Sequence, residues 1–98
     1  MKLTIVARSR DDFDVIVNNE ELHKTKQSIF GVNITDANLH ELTKSRVDKD
    51  HLVEFAFIFL LEREPVDAIQ STFNIKTISH YFPEFPEAVK GWVDENAE

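Results

Sequence analysis

The sequence predicts one α+β domain, in which a three-stranded antiparallel meander is followed by four or five helices packed on one face of the sheet. Residues 2–8, 13–18 and 30–34 repeat apolar side chains at every second position, which is typical of half-buried strands. After Ile34 the spacing changes to that of helices, and residues 52–61 form an almost unbroken apolar run. Strands that precede helices in this way favour α+β packing.

Three strands are predicted in the first third of the chain. Residues 2–8 and 13–18 each alternate, and the polar residues 9–12 between them supply a hairpin loop. A third strand is expected over residues 24–34, which completes the meander. The predicted inward residues are Leu3, Ile5, Ala7, Phe13, Val15, Val17, Phe30, Val32 and Ile34.

The first two helices have recognisable starts. Thr35 or Asp36 can cap a short helix, because a short side-chain oxygen accepts hydrogen bonds from the amides of the first turn. Asp48 is predicted to cap the central helix in the same way, and that helix is expected to span about residues 48–64. Pro65 then ends it, since the residue before a proline is disfavoured in the α conformation.

Shorter helices are predicted after Pro65. Its ring suits the first turn of a helix over residues 66–73. Residues 75–82 imply another turn or two, and two prolines in residues 83–86 force an irregular bend before a final short helix around residues 88–92. The apolar residues that define these helices are Val66, Ile69, Phe73, Ile75, Ile78, Phe82, Ala88, Val89 and Trp92.

The central helix is apolar on more than one side. At about 100° per residue, Ile58 and Leu61 lie roughly opposite the main apolar face, with Phe57 on the flank and Glu54 beside them. The sheet covers only one side, so the C-terminal helices or a second copy must cover the other. Cover by C-terminal aromatic residues is the simpler hypothesis, and a two-fold homodimer is the alternative. The main apolar face comprises Leu52, Val53, Ala56, Phe59 and Leu60.

The composition favours a soluble, cytoplasmic domain. The 98 residues are 42% hydrophobic and 30% charged, and the absence of cysteine excludes disulfides and thiolate chemistry. Residues 1–7 turn polar at Arg8, too early for a signal-peptide core. The run at residues 52–61 is about half of the roughly 20 residues of a membrane span, so no membrane partner is expected. Residues 1–93 are predicted to form the domain, and the acidic tail 94–98 is expected to fray.

The net charge of −7 is concentrated in the second half of the chain. Residues 1–49 hold eight basic and eight acidic side chains, whereas residues 50–98 hold three basic and ten acidic ones. This imbalance repels phosphate backbones and anionic membranes, and it favours basic or neutral partners. Excess acid also serves solubility alone, and both interpretations remain open at this stage.

No pattern predicts catalysis, a metal site or a cofactor. The two glycines, Gly31 and Gly91, exclude a phosphate-cradling loop of the known types. Ser79 and His80 are adjacent, and neighbours on a helix point in different directions, so they do not form a catalytic dyad. No two histidines have the i, i+4 spacing of a helical metal site. The histidines are His23, His40, His51 and His80.

The second side of the central helix and the C-terminal aromatic residues are the candidate interface. Aromatic residues beside prolines form rigid, amphipathic surfaces of the kind that anchor protein contacts. The alternative is that the same residues seal the core. The candidate interface residues are Phe57, Ile58, Leu61, Tyr81, Phe85 and Trp92.

Part of the chain resembles a family of short uncharacterised bacterial proteins. The resemblance rests on residues 54–65, with the sequence EFAFIFLLEREP, followed by residues 73–75 and 78–85. It covers the C-terminal half well and the N-terminal half only loosely. It implies a bacterial, cytoplasmic setting and supplies no activity.

A second resemblance, at the level of the fold, is to the ribbon-helix-helix modules of small dimeric repressors and antitoxins. It rests on residues 30–35, a short helix, residues 45–47 and the long helix. Such modules pair one strand from each subunit and read bases with its outward side chains. No arginine or lysine supplies the usual guanine contact here. The outward positions would be Gln27, Ile29, Gly31 and Asn33.

Together these observations predict a small acidic protein without enzymatic activity, which acts through protein–protein contacts as an interaction or regulatory accessory domain. Its protein partner is not identifiable from the sequence, and a homodimer is an open alternative. The alternative function is that of a ribbon-helix-helix-like DNA-binding protein or antitoxin-type regulator. Nucleic acid is the less expected partner, because the acidic half of the chain repels phosphate.

Overall fold

A computed structural model describes residues 2–21 and 24–96. It shows an α+β fold with a four-stranded sheet, in the order β1-β2-β3-β4, and four α-helices. A 3₁₀ turn, Val66–Ala68, lies between the second helix and the last strand. The elements are β1 (Lys2–Ala7), β2 (Asp12–Glu21), β3 (Lys24–Asn33), α1 (Asp36–Thr43), α2 (Lys49–Leu61), β4 (Thr72–Asn74), α3 (Lys76–Tyr81) and α4 (Phe85–Asn96).

The sheet corrects two sequence predictions. Strands β1, β2 and β3 pair antiparallel as expected, but β4 adds a fourth strand that runs parallel to β3. The predicted helix over 66–73 is wrong, because this segment forms the 3₁₀ turn and then enters β4. Backbone groups of β3 attract the segment: the Gly31 amide donates to the Ser71 carbonyl at 2.7 Å, and the Ile75 amide donates to the Asn33 carbonyl at 2.9 Å.

An amide network fixes β4 beside β3. The Asn74 side-chain amide donates to Oδ1 of Asn33 at 2.7 Å and to Oδ1 of Asn38 at 2.9 Å. Asn38 is buried in α1, and its Oδ1 also accepts the Thr35 backbone amide at 3.1 Å. Hydrogen bonds between these part-buried side chains make the contact between β3 and β4 more specific than apolar packing alone would.

The core lies between one face of the sheet and the helices. The alternation read from the sequence is present in β2 and β3, whose inward side chains are buried, while Val6 and Ile29 on the outer face are exposed. In β1 the predicted inward residue Ala7 is exposed, because it is the last residue of this edge strand. Successive side chains of a strand point to opposite faces of the sheet, so a single register determines both which side chains are buried and which are exposed. The buried inward residues are Phe13, Val15, Val17, Phe30 and Val32, with Ile34 just after β3.

Helix α2 is the central element, and it is covered from two directions. Phe57 is fully buried, with its ring centroid 5.2 Å from that of Phe30 in the sheet. On another side, the Phe59 ring packs edge-on against Phe82 at 5.9 Å and Phe85 at 5.0 Å. The C-terminal helices of the same chain therefore cover the Phe59 side of α2, whereas Ile58, on the predicted second side, is exposed.

The ends of α1 and α4 follow from local chemistry. Thr35 caps α1 in a reciprocal box with Asn38, in which each side chain accepts the other residue's backbone amide at 3.1 Å. Helix α4 begins at Phe85, because Pro86 in the first turn needs no amide partner. It continues through Asn96, so residues 94–96 of the predicted frayed tail are helical, and residues 97–98 lie outside the described part of the chain.

Lys49 joins the β1–β2 loop to the starts of α1 and α2. Its side chain is only 11% exposed, and its ammonium lies 2.7 Å from a carboxylate oxygen of Asp11 and 2.7 Å from one of Asp36. The Lys49 ammonium also donates to the Arg10 carbonyl at 3.2 Å. Arg10 in turn pairs with Asp36. One cation therefore holds three segments together.

Acid should weaken this junction. The hydrogen bond from Lys49, helped by Arg10, lowers the pKa of Asp36 below its usual 3.8. A lowered folded-state pKa contributes stability above the unfolded-state value, and this contribution is lost as pH falls through the folded pKa. We expect the stability difference between the wild type and Asp36→Asn, measured by urea unfolding, to shrink as pH falls below 3.8. If the stability difference stays constant from about pH 7 to below pH 3.8, the Asp36 carboxylate does not stabilise this junction as described.

Candidate protein-binding surface

The structure separates the six predicted interface residues into three groups. Phe57 and Phe85 are fully buried, so neither can touch a partner while the domain is folded. Ile58 and Tyr81 are 45% and 61% exposed. Leu61 and Trp92 are half-buried. Four of the six candidates thus reach the surface, and the interface itself remains a prediction.

The outward side of α2 presents one apolar side chain between two acids. Ile58 is exposed, and Glu54 and Glu62 stand one helical turn before and after it, also exposed. The buried residues of α2 occupy the remaining directions of the helix. Ile58 therefore exposes apolar surface in the middle of the helix, where a solvated polar residue would be the usual choice.

A stacked aromatic pair joins this side of α2 to α4. The ring centroids of Phe55 and Trp92 are 4.7 Å apart with an angle of 16° between the ring planes. Both residues are half-buried, so the stack is partly open to solvent. Phe55 packs near Trp92 while Phe59 packs near Phe85, which shows that α2 and α4 run antiparallel here. The sequence does not predict a role for Phe55, because its position alone does not show that its ring stacks on Trp92.

Helix α4 extends the same surface beyond Trp92. At about 100° per residue, Ala88 and Glu95 lie on the Trp92 flank of α4, followed by Gly91. No atom outside α4's own backbone and the neighbouring residues lies within 4 Å of a β-carbon built on Gly91, so the backbone there is open. We call this surface the acidic helical face; its residues are Glu54, Phe55, Ile58, Glu62, Ala88, Gly91, Trp92 and Glu95.

Glu54, Glu62 and Glu95 on the acidic helical face form no ion pair within residues 2–21 and 24–96. Elsewhere on the helices, Asp94 lies 3.2 Å from Arg46 and Glu41 lies 3.4 Å from Lys76. Glu87, on the other side of α4, also forms no ion pair with the described residues. The face therefore combines a partly open aromatic stack with three carboxylates that no described residue neutralises.

The outer face of the sheet is a second partly apolar surface. Ile16 lies directly opposite Thr4 on one neighbouring strand and Ile29 on the other, and Val6 stands on the same face. Ile29 is 57% exposed and Val6 is 44% exposed. This surface carries no excess charge of one sign, so nothing in it selects a class of partner.

The three histidines that the structure describes do not converge on a metal site. His40, His51 and His80 are exposed, and His23 lies outside the described residues. Asp48, Asp50 and His51 offer ligand atoms within 4.8 Å of one another at the exposed start of α2. Exposed acids commonly gather at a helix start because the helix dipole favours them there, so this group supports no metal assignment.

The strand that would read DNA in a ribbon-helix-helix module corresponds to β3, and β4 covers only the last three residues of its second edge. Residues 31–33 of β3 pair with β2 on one edge and with β4 on the other. No free backbone edge remains at these residues for a strand of a second subunit. The Asn33 side chain is also engaged by Asp12 and Asn74.

Comparison with known proteins finds no matching protein family, curated protein or solved structure. Among the described helices, none is both long and apolar enough to cross a membrane. The function must therefore be argued from the surface itself.

Proposed function

We propose that this protein is a non-catalytic interaction domain that binds a basic, apolar segment of another protein on the acidic helical face. The observation that carries the proposal is the half-buried Phe55–Trp92 stack, bordered by glutamates that have no counter-ion in the described chain. Partly open aromatic residues are frequent interface anchors, and uncompensated charge around them selects the sign of the partner.

The charge pattern indicates how a partner would sit. Ile58 and the aromatic stack offer apolar area along adjacent helices, which suits the apolar stripe of an amphipathic helix. Glu54 and Glu62 on one side and Glu95 on the other would then face lysine or arginine residues beside that stripe. Such pairs at the rim guide association and orientation more than they add affinity.

The same charges disfavour a homodimer through this face. Two-fold pairing would place the glutamates of one copy against those of the other, and like charges brought together cost free energy. A basic partner relieves this repulsion, whereas a second copy increases it. Sedimentation velocity at high protein concentration tests this point, and we expect no dimer that depends on Ile58.

The proposal is tested with a designed probe and the single tryptophan of the chain. Trp92 lies in the proposed contact, so its fluorescence reports binding of an amphipathic helical peptide made of lysine and leucine. We expect the double variant Glu54→Lys/Glu62→Lys to bind this peptide at least about tenfold more weakly, because two attractive pairs become repulsive. A scrambled peptide of equal composition should bind weakly to the wild type.

A control double variant distinguishes an effect of the acidic helical face from an effect of the total charge of the protein. Glu20→Lys/Glu87→Lys changes the total charge equally, with Glu20 on the sheet and Glu87 on the side of α4 away from Trp92. We expect its affinity to stay within about twofold of the wild type at ionic strength near 0.15 M, where distant charges are screened. Equal losses in both double variants, or no response of Trp92 to the peptide, would refute the proposal.

A further inference from the structure

A small cavity lies on the side of α2 away from the acidic helical face. It measures about 240 Å³ and sits between the end of α2, the 3₁₀ turn, β4 and α3. Its walls are mainly apolar, and Tyr81 stands exposed at its rim. An apolar cavity of roughly 150 Å³ is large enough for benzene, so this one accommodates a substituted ring or a short branched chain. The main apolar wall residues are Leu60, Ile69, Phe73, Ile78 and Phe82.

One acid at the cavity has no partner among the described residues. Glu64 lines the cavity and is half-buried, and no described residue pairs with or hydrogen-bonds its carboxylate. The adjacent Arg63 is engaged elsewhere, with its guanidinium carbon 3.5 Å from the centre of the Phe59 ring and a 3.0 Å hydrogen bond to the Phe59 carbonyl. A partly desolvated carboxylate gains most from a cation that arrives with its own apolar body.

We propose that this cavity binds a small organic amine, with the apolar body of the ligand against the cavity walls and its ammonium group paired with Glu64. The sign of the charge follows from the single unpaired carboxylate, since a ligand acid would be repelled at the same position. The size follows from the volume, which is below the range of about 300–1,000 Å³ that drug-sized ligands occupy. This inference is independent of the acidic helical face.

Three probes of similar size test whether binding depends on the charge of the ligand or only on its apolar ring. They are 2-phenylethylamine, 2-phenylethanol and phenylacetate. Binding is measured from backbone amide shifts in NMR spectra of the full chain. We expect the amine to bind with a Kd of about 1 mM and to shift the amides of the residues that line the cavity. The neutral alcohol should bind several-fold more weakly, and the acid at least about tenfold more weakly than the amine.

Three variants test which residues of the cavity bind the probes. Glu64→Gln is expected to make the affinities for the amine and the alcohol equal, because it removes the negative charge of the side chain and keeps its shape. Glu87→Gln, at an exposed position that neither lines the cavity nor belongs to the acidic helical face, is the control for net charge, and it should leave the preference for the amine unchanged. Ala68→Phe, at an exposed position of the rim, should weaken all three probes by occupying space. Equal affinity for amine and acid, an unchanged preference in Glu64→Gln, or shifts confined to other surfaces would overturn the proposal.

Discussion

Replacing Phe57 by alanine is expected to lower the free energy of unfolding by about 3–5 kcal/mol. The side chain is fully buried, and its ring contacts Phe30 in β3 at 5.2 Å and Phe73 in β4 at 6.0 Å, measured between ring centroids. The change therefore leaves a void at the point where α2 meets both strands. Urea unfolding followed by circular dichroism measures the loss. If the alanine variant does not fold, Phe57→Leu gives a smaller loss that is still measurable.

The next residue along the helix is the matched control. Ile58 is 45% exposed, so Ile58→Ala removes only part of the buried area that a core position would lose, and it should lower stability by about 1 kcal/mol or less. The better helix propensity of alanine offsets part of the loss. Similar losses at positions 57 and 58 would show that α2 is turned differently about its axis, and the acidic helical face would then not exist as described.

Replacing Lys49 by methionine has the second-largest expected effect, a loss of about 1–3 kcal/mol. Burial disfavours the Lys49 ammonium, yet its hydrogen bonds to Asp11 and Asp36 outweigh this and raise its pKa above 10.5. Methionine keeps much of the apolar stem but leaves two carboxylates and the Arg10 carbonyl without their shared donor. Chemical unfolding near neutral pH measures the loss.

Lys90→Met is the appropriate control for this substitution. Lys90 is exposed on α4 and forms no ion pair within the described ranges of the chain. Surface substitutions of this kind usually change stability by less than about 0.5 kcal/mol. If the two methionine variants lost the same stability, Lys49 would contribute only as an ordinary surface charge.

The sequence allowed a sound prediction of the strands that have alternating side chains. In β2 the apolar residues Phe13, Val15 and Val17 repeat with period two, and all three are buried as expected. Period two is a direct consequence of strand geometry, so the pattern needs no knowledge of the partner strand. The start of α1 at Thr35 is equally local, because the cap and its acceptor lie three residues apart.

Strand β4 could not be predicted in this way. Val66, Ile69 and Phe73 are spaced like one side of a helix, and a strand of three residues is too short to display alternation. What decides the conformation is distant in the sequence: the β3 backbone at Gly31 and the amides of Asn33 and Asn38. Tertiary contacts overrode the local pattern.

The candidate surface was predictable only in part. The helical period placed Ile58 on the second side of α2, and the structure exposes it. The same period left Phe57 on the flank, where a few degrees of rotation decide between core and solvent, and it is buried. The cavity beside Glu64 had no sequence signal, because its walls come from α2, the 3₁₀ turn, β4 and α3.

The late position of β4 also affects how the chain folds. Asn33 and Asn74 are 41 residues apart, so their contact requires closing a long loop that contains α1 and α2. Local hairpins form first, and non-local pairing of this kind slows folding relative to an all-helical chain of similar size. During synthesis, the nascent β3 edge therefore remains open to incorrect strand partners until residues 72–74 have left the ribosome.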